Sequence, residues 1–249
     1  MNSLRLKLKA NADPEASTSK PLEFDPSESV KKGESFDLGH GSEVFHVPRF
    51  FPADQSWAWF DYINKHVPWS RPTLRIFGRR LVQPRDSCYI AAEGLPAISY
   101  NGHTPRAYSW GDFPPLKDIL DAVHKALPGS RFNSLVLNRY DGNNDYVSWH
   151  SDDEMLYGPT PEIASVTFGC EREFLLRKKP SKMSRASDDE PKSKRLRKSH
   201  DPDQHSFVLK HGSLLVMRGY TQRDWLHSVP KRVKPMSIRI NLTFRCVLP

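Results

Sequence analysis

The sequence predicts a mostly β protein, an antiparallel sandwich or barrel with two helices on one outer face. Three observations lead there. From Phe132 onward the chain breaks into short runs rich in Val, Ile, Leu, Phe and Thr, at 132–140, 163–168, 173–177, 206–210, 213–217 and 237–247. Turn residues divide them, including Asp141-Gly142-Asn143-Asn144 and His211-Gly212. No helical pattern intervenes, which argues against a sheet of alternating strands and helices.

The helices come earlier. Residues 52–66 place Trp57, Phe60, Tyr62 and Ile63 at helical spacing, and Pro52 suits a first turn. Residues 114–127 carry the apolar stripe Leu116, Ile119, Leu120, Val123 and Leu127, and Pro128-Gly129 stops it. Val44-Phe45-His46-Val47 reads as a strand, so folding is expected to begin near Glu43. Residues 1–42 have the Ser-, Pro-, Lys- and Glu-rich composition of a disordered tail. One domain over 43–249 follows, with its β core over 130–249. The stretch 178–205 has no apolar periodicity and reads as a long hairpin loop between two strands.

Composition narrows the function classes. A chain of 249 residues suffices for one domain with a real core. Only 37% is hydrophobic, and the mean hydropathy is −0.63. No apolar run approaches the roughly 20 residues of a membrane helix. The first twenty residues lack the apolar stretch of a secretory signal. A cytosolic or nuclear protein without membrane contact is expected. Cys88, Cys170 and Cys246 form no CxxC pair, so a zinc ribbon is unsupported. The net charge is +8, yet residues 178–199 hold nine Lys/Arg against three acids, six of those eight charges. The charge therefore describes a loop and not the fold. Lys192-Ser193-Lys194-Arg195-Leu196-Arg197-Lys198 has the composition of a nuclear localisation signal, and equally of a solvated charge run.

The most informative stretch is Trp149-His150-Ser151-Asp152-Asp153-Glu154. Two residues apart on an extended chain, His150 and Asp152 project to one side and can grip one ion. His227, in the extended-looking Trp225-Leu226-His227-Ser228-Val229, is the best third ligand. Two imidazoles and a carboxylate leave three adjacent coordination positions open, the facial triad of non-haem Fe(II) oxygenases. The last strand alternates strictly. Arg239, Asn241, Thr243 and Arg245 share one face; Ile240, Leu242 and Phe244 share the other. Such a strand is either half-exposed with solvated arginines, or it turns a polar face into a barrel that holds an anion. Arginine's planar fork suits a carboxylate. Asn138 and Tyr140, two apart on another strand, can add hydrogen bonds from a similar face.

His150-x-Asp152, His227, Arg239-x5-Arg245 and Asn138-x-Tyr140 together resemble the AlkB family of dioxygenases, over about residues 45–249 apart from 178–205. The resemblance implies a double-stranded β-helix (jelly roll) core with N-terminal helices and a nucleotide-recognition lid, placed at 70–110. It implies Fe(II) on His150, Asp152 and His227, with O2 and 2-oxoglutarate as co-substrates. Arg239 would pair with the distal carboxylate of 2-oxoglutarate, and Asn138, Tyr140, Asn241, Thr243 and Arg245 would complete that site. The implied reaction is oxidative dealkylation of 1-methyladenine and 3-methylcytosine in DNA, with the base flipped out of the stack. The same chemistry on RNA or on another modified base, or an inert nucleic-acid-binding module, are the alternatives. Tyr100 matches the family's lid aromatic and would sandwich the base with His150. Asp153 and Glu154 would face its amines. Arg75-Ile76-Phe77-Gly78-Arg79-Arg80 resembles the finger of the double-strand-preferring branch, with Phe77 as wedge and the arginines on phosphates. Arg85 and Tyr89 match the lid region. A nuclear monomer acting on duplex DNA is implied. Arg5-Leu6-Lys7-Leu8-Lys9 lacks the aromatic of the sliding-clamp motif found in animal members, so clamp binding is not expected.

Overall fold

The structure, a computed structural model, describes residues 24–76, 78–180, 203–232 and 237–249. The basic run 192–198, the Phe77 tip and residues 5–9 lie outside them. The elements are α1 (Pro26–Val30), β1 (Glu34–Gly39), β2 (Ser42–Val47), α2 (Ala53–His66), β3 (Thr73–Ile76), β4 (Arg79–Val82), β5 (Asp86–Ala91) and β6 (Ala107–Tyr108). There follow α3 (Pro114–Ala126), β7 (Ser134–Tyr140), β8 (Val147–His150), β9 (Ile163–Gly169), β10 (Arg172–Lys178), β11 (Gln204–Leu209), β12 (Ser213–Gly219), α4 (Thr221–Asp224), β13 (Trp225–Val229) and β14 (Arg239–Arg245).

An eight-stranded sheet has the order β1-β2-β12-β9-β14-β7-β5-β6, and a four-stranded sheet has the order β11-β10-β13-β8. Alternation along the strands makes two cores. Ile240, Leu242 and Phe244, with Leu214 and Val216, bury against Ile63 of α2 and Leu116, Ile119 and Val123 of α3. The other face of the large sheet sends Leu215, Met217 and Tyr140 toward Phe174, Leu176 and Trp225 of the small sheet. Both faces are covered, so β9 and β14 are buried at all seven positions. This is the jelly roll with helices on one outer face.

Some expectations need correction. Ordered structure begins before Glu43: β1 pairs with β2 from Glu34 to Gly39, and Asp25 caps α1, its carboxylate accepting from the Ser27 N–H at 3.0 Å. Only Leu38 of β1 is buried, so composition alone gave little sign of it. The strand expected at 44–47 is present as β2, but a further core strand precedes Phe132. β5 joins the large sheet beside β7, and its four central residues are all buried, leaving no alternation to read. Trp57 is 48% exposed and stacks on His211 with centroids 4.0 Å apart, instead of joining Ile63 in the core.

One turn carries the chain from the large sheet to the small one. Gly219 has φ +61°, and the Tyr220 N–H donates to the Gly41 carbonyl at 3.0 Å. A Cβ on Gly219 would overlap that carbonyl. Gly219→Ala is expected to lower stability by about 2–3 kcal/mol. A urea melt indistinguishable from the wild type would contradict this.

Candidate active site

β8 and β13 pair so that His150 and His227 stand directly opposite each other, their ring centroids 4.1 Å apart. Asp152 follows the end of β8, and its N–H donates to the Gln222 Oε1 at 3.0 Å. Asp152 Oδ1 lies 3.9 Å from His150 Nε2, and Oδ2 lies 3.9 Å from His227 Nε2. All three ligand atoms fall within 4.8 Å of one another. His150 Nδ1 sits 2.8 Å from the Ser148 carbonyl, which can only accept. Nδ1 therefore carries a proton, and Nε2 is the ring atom that faces the group. Burial pushes His227 down to about 3, so it is a neutral ligand. Burial alone would raise the Asp152 carboxyl, but the Arg245 guanidinium bonded to it holds it far below the usual range. The donor set, two imidazoles and an anionic carboxylate, fits Fe(II) with open positions.

β14 supplies the two arginines. Arg245 donates to Asp152 Oδ2 from Nε at 3.2 Å and Nη2 at 2.7 Å, with both side chains 10% exposed. Six residues away, Arg239 lies at the other end of one polar face, roughly 20 Å along the strand. It is 1% exposed. Its Nη2 donates to Thr167 Oγ1 at 3.0 Å and Asn241 Oδ1 at 2.8 Å. Its Nε and Nη1 have no partner among the described residues. Burial lowers this guanidinium to about 10, so it is still a cation at neutral pH. A buried cation with unmet N–H groups costs about 1–3 kcal/mol per group. A carboxylate in that space removes the cost, as 2-oxoglutarate's distal end would.

A cavity of about 540 Å³ joins the triad to Arg239. Asn138, Tyr140, Asn241 and Thr243 line it with the ligands and both arginines, as do Arg85, Tyr100 and Glu154. Tyr140 faces Arg239 across the β7–β14 ladder, and Asn138 faces Asn241. Arg85 Nε donates to Asn138 Oδ1 at 2.7 Å. Asn241 is largely committed: its Oδ1 accepts from Ser165, Thr167 and Arg239, and one of its two Nδ2 hydrogens is donated to Thr243 Oγ1 at 2.7 Å. It holds the Arg239 fork in place more than it presents a free group. Arg245 is likewise turned to Asp152 and marks the metal end of the site.

Two expected substrate residues are not brought to the cavity. Tyr89 is 4% exposed and packs with Ile98 and Val247 behind the wall. Its place among the four buried central residues of β5 explains this. Asp153 points outward, accepting from Lys179 Nζ at 3.0 Å and Ser151 Oγ at 2.9 Å. As the immediate neighbour of the inward Asp152 on an extended chain, it takes the opposite side. The sequence reading missed Gln222, Thr167 and Arg172. Arg172 is 2% exposed, its Nη2 donates to the Asp145 and Pro230 carbonyls, and its guanidinium, like that of Arg239, lies over the Tyr140 ring. Only β10's otherwise apolar inward pattern hinted at a buried arginine.

Comparison with known proteins agrees with this geometry. Residues 43–245 match the family model described as the 2OG-Fe(II) oxygenase superfamily. The "DNA oxidative demethylase ALKBH2" of Arabidopsis thaliana is 60% identical over 230 residues, covering 91% of this chain and 73% of that protein. The human "Alpha-ketoglutarate-dependent dioxygenase alkB homolog 3" is 44% identical over 217 residues, covering 84% and 67%. The human "DNA oxidative demethylase ALKBH2" is 34% identical over 192 residues, covering 76% and 67%. With the His150–Asp152–His227 group and the half-empty Arg239 fork opening on one cavity, the chain belongs to the 2OG-Fe(II) oxygenase superfamily, in its AlkB family.

Proposed function

We propose that this protein removes alkyl groups oxidatively from damaged bases in DNA, with 1-methyladenine and 3-methylcytosine as leading substrates and duplex DNA as the preferred form. The observation that carries the reading is the single cavity shared by the triad, Arg239 and the lid residue Tyr100. The 60% identity to a DNA oxidative demethylase sets the substrate class. Fe(II), when bound, supplies the redox chemistry that couples O2 and 2-oxoglutarate to oxidation of the alkyl C–H. Overall, 2-oxoglutarate becomes succinate and CO2, while the N-methyl becomes N-hydroxymethyl, which breaks its C–N bond to release formaldehyde and the repaired base.

The chain's own residues bind and orient. Arg239 anchors the far carboxylate of the co-substrate and so fixes which end reaches the triad. Arg245 keeps Asp152 ionised and in place. Tyr100 sits in a two-residue hairpin closed by its N–H to the His103 carbonyl at 3.0 Å and the reverse bond at 2.9 Å. Asn101 and Gly102 hold φ +48° and +73°, the left-handed pair such a turn requires. This holds an aromatic ring on the cavity wall, where an extruded base can stack. Glu154, on the same lining, can accept from the base's exocyclic amine.

Support for a duplex substrate comes from the β3–β4 hairpin. Arg75, Arg79 and Arg80 are exposed there, and the Arg75 N–H donates to the Asn101 carbonyl at 2.8 Å. The finger and the base-holding turn are thus joined. In this reading Phe77 fills the gap left by the flipped base, and the arginines meet phosphates. Phe77→Ala is expected to lower repair of duplex oligonucleotides about tenfold more than of single strands, the loss of one stacked aromatic. Equal losses on both forms would remove the wedge. Action as a nuclear monomer fits a DNA substrate and belongs to the same proposal. Among the described residues no helix is long and apolar enough to cross a membrane.

A further inference from the structure

Tyr157 lines the cavity but takes no part in holding the metal or the co-substrate. It lies in the short turn Met155–Tyr157, just beyond Glu154. Three backbone bonds fix that turn. The Tyr157 N–H donates to the Glu154 carbonyl at 3.0 Å, Gly158 to Met155 at 3.0 Å, and Leu248 to Leu156 at 2.8 Å. Gly158 needs its φ of +77° to close the turn. The ring is therefore presented from a backbone tied to the C-terminal segment.

The ring and the hydroxyl do different things. The Arg245 guanidinium carbon lies 5.6 Å over the ring centroid. Among the described residues the hydroxyl makes no hydrogen bond, although it belongs to a residue on the cavity wall. Packing beneath Arg245 needs only a ring. A phenol group left unpaired at a ligand cavity is a donor and acceptor available to a ligand. Enclosure pushes this phenol up to about 12, so it keeps its proton and can donate at neutral pH.

Ile98 and Tyr100 of the lid share the wall with Glu154 and Tyr157. One turn thus offers a carboxylate that accepts and a hydroxyl that donates. Alkylated adenine and cytosine offer the complementary pair: an exocyclic amine and a ring acceptor, N7 of adenine or O2 of cytosine, both apart from the alkylated nitrogen. We infer that Tyr157 positions the extruded base, donating its hydroxyl hydrogen bond to that acceptor while its ring face carries Arg245. The inference rests on the DNA-dealkylation reading above.

Tyr157→Phe keeps the ring and deletes only the hydroxyl. The full chain, loaded with Fe(II) and 2-oxoglutarate without O2, is titrated by fluorescence anisotropy with an oligonucleotide bearing one 3-methylcytosine and with its undamaged match. Y157F is expected to reduce the lesion-to-undamaged affinity ratio about three- to tenfold, the worth of one hydrogen bond. In turnover the loss falls on KM for the lesion oligonucleotide and not on KM for 2-oxoglutarate. Tyr157→Ala, which also uncovers Arg245 beside Asp152, is expected to add a loss of Fe(II) binding and, through it, of 2-oxoglutarate binding. An unchanged ratio in Y157F overturns the inference. So does an equal weakening of 2-oxoglutarate binding by Y157F and Y157A with discrimination intact, which is a purely structural role. A wild-type protein that does not distinguish lesion from undamaged DNA overturns the DNA-dealkylation reading itself, and the inference with it.

Discussion

Asp152→Ala is expected to abolish both succinate formation and base repair. Asp152 is the anionic member of the ligand group, and two neutral imidazoles alone bind Fe(II) weakly and leave its position undefined. The same substitution strands Arg245, which is buried and bonded to Asp152 Oδ2 at 2.7 Å. Removing one partner of a buried ion pair costs about 3–5 kcal/mol. Loss of activity in the alanine variant therefore mixes a metal effect with a folding effect. Asp152→Asn separates them. Its amide oxygen can still accept from Arg245, so circular dichroism and the melting temperature are expected to stay closer to wild type. A neutral amide is a poor replacement ligand, so iron content and turnover are expected to fall together. Full activity in either variant would overturn the triad assignment.

Arg239→Met is expected to raise KM for 2-oxoglutarate at least a hundredfold. Two charge-assisted hydrogen bonds to a carboxylate, at about 1.5–3 kcal/mol each, account for that factor. The variant should fold, because it removes a buried cation whose Nε and Nη1 lack partners. A thermal-shift titration isolates the binding effect from chemistry. Wild type with 2-oxoglutarate at a hundred times its Kd gains about 2.7 kcal/mol. R239M at the same concentration is expected to gain little. An unchanged 2-oxoglutarate affinity would mean that the unpaired fork serves another ligand.

What could be read from the sequence follows from which patterns are local. The Arg239–Arg245 alternation was visible because a strand's period is two. Its burial was not, since a half-exposed strand and a strand lining a polar cavity share that pattern. The stripes of α2 and α3 were legible, and their ends agree within a residue or two. α1 and β1 were not, because their stability comes from α3 and β2 and only Pro26 and Leu38 are buried. Tyr89 and Asp153 show the limit of carrying roles over by resemblance: one sits on a buried strand and the other on the outward side of an extended turn. Gln222, Thr167 and Arg172 act through hydrogen bonds to residues from 27 to 72 positions away. No spacing rule reaches that far.

The most direct measurement incubates the purified protein with Fe(II), 2-oxoglutarate and ascorbate, and follows matched single- and double-stranded oligonucleotides bearing 1-methyladenine or 3-methylcytosine by mass spectrometry. Loss of 14 mass units per lesion, about the mass of one CH2, is the predicted result, stronger on duplex and absent when 2-oxoglutarate is withheld. Consumption of 2-oxoglutarate with neither DNA form repaired would contradict the DNA-dealkylation reading and move the same chemistry to RNA or to another modified base.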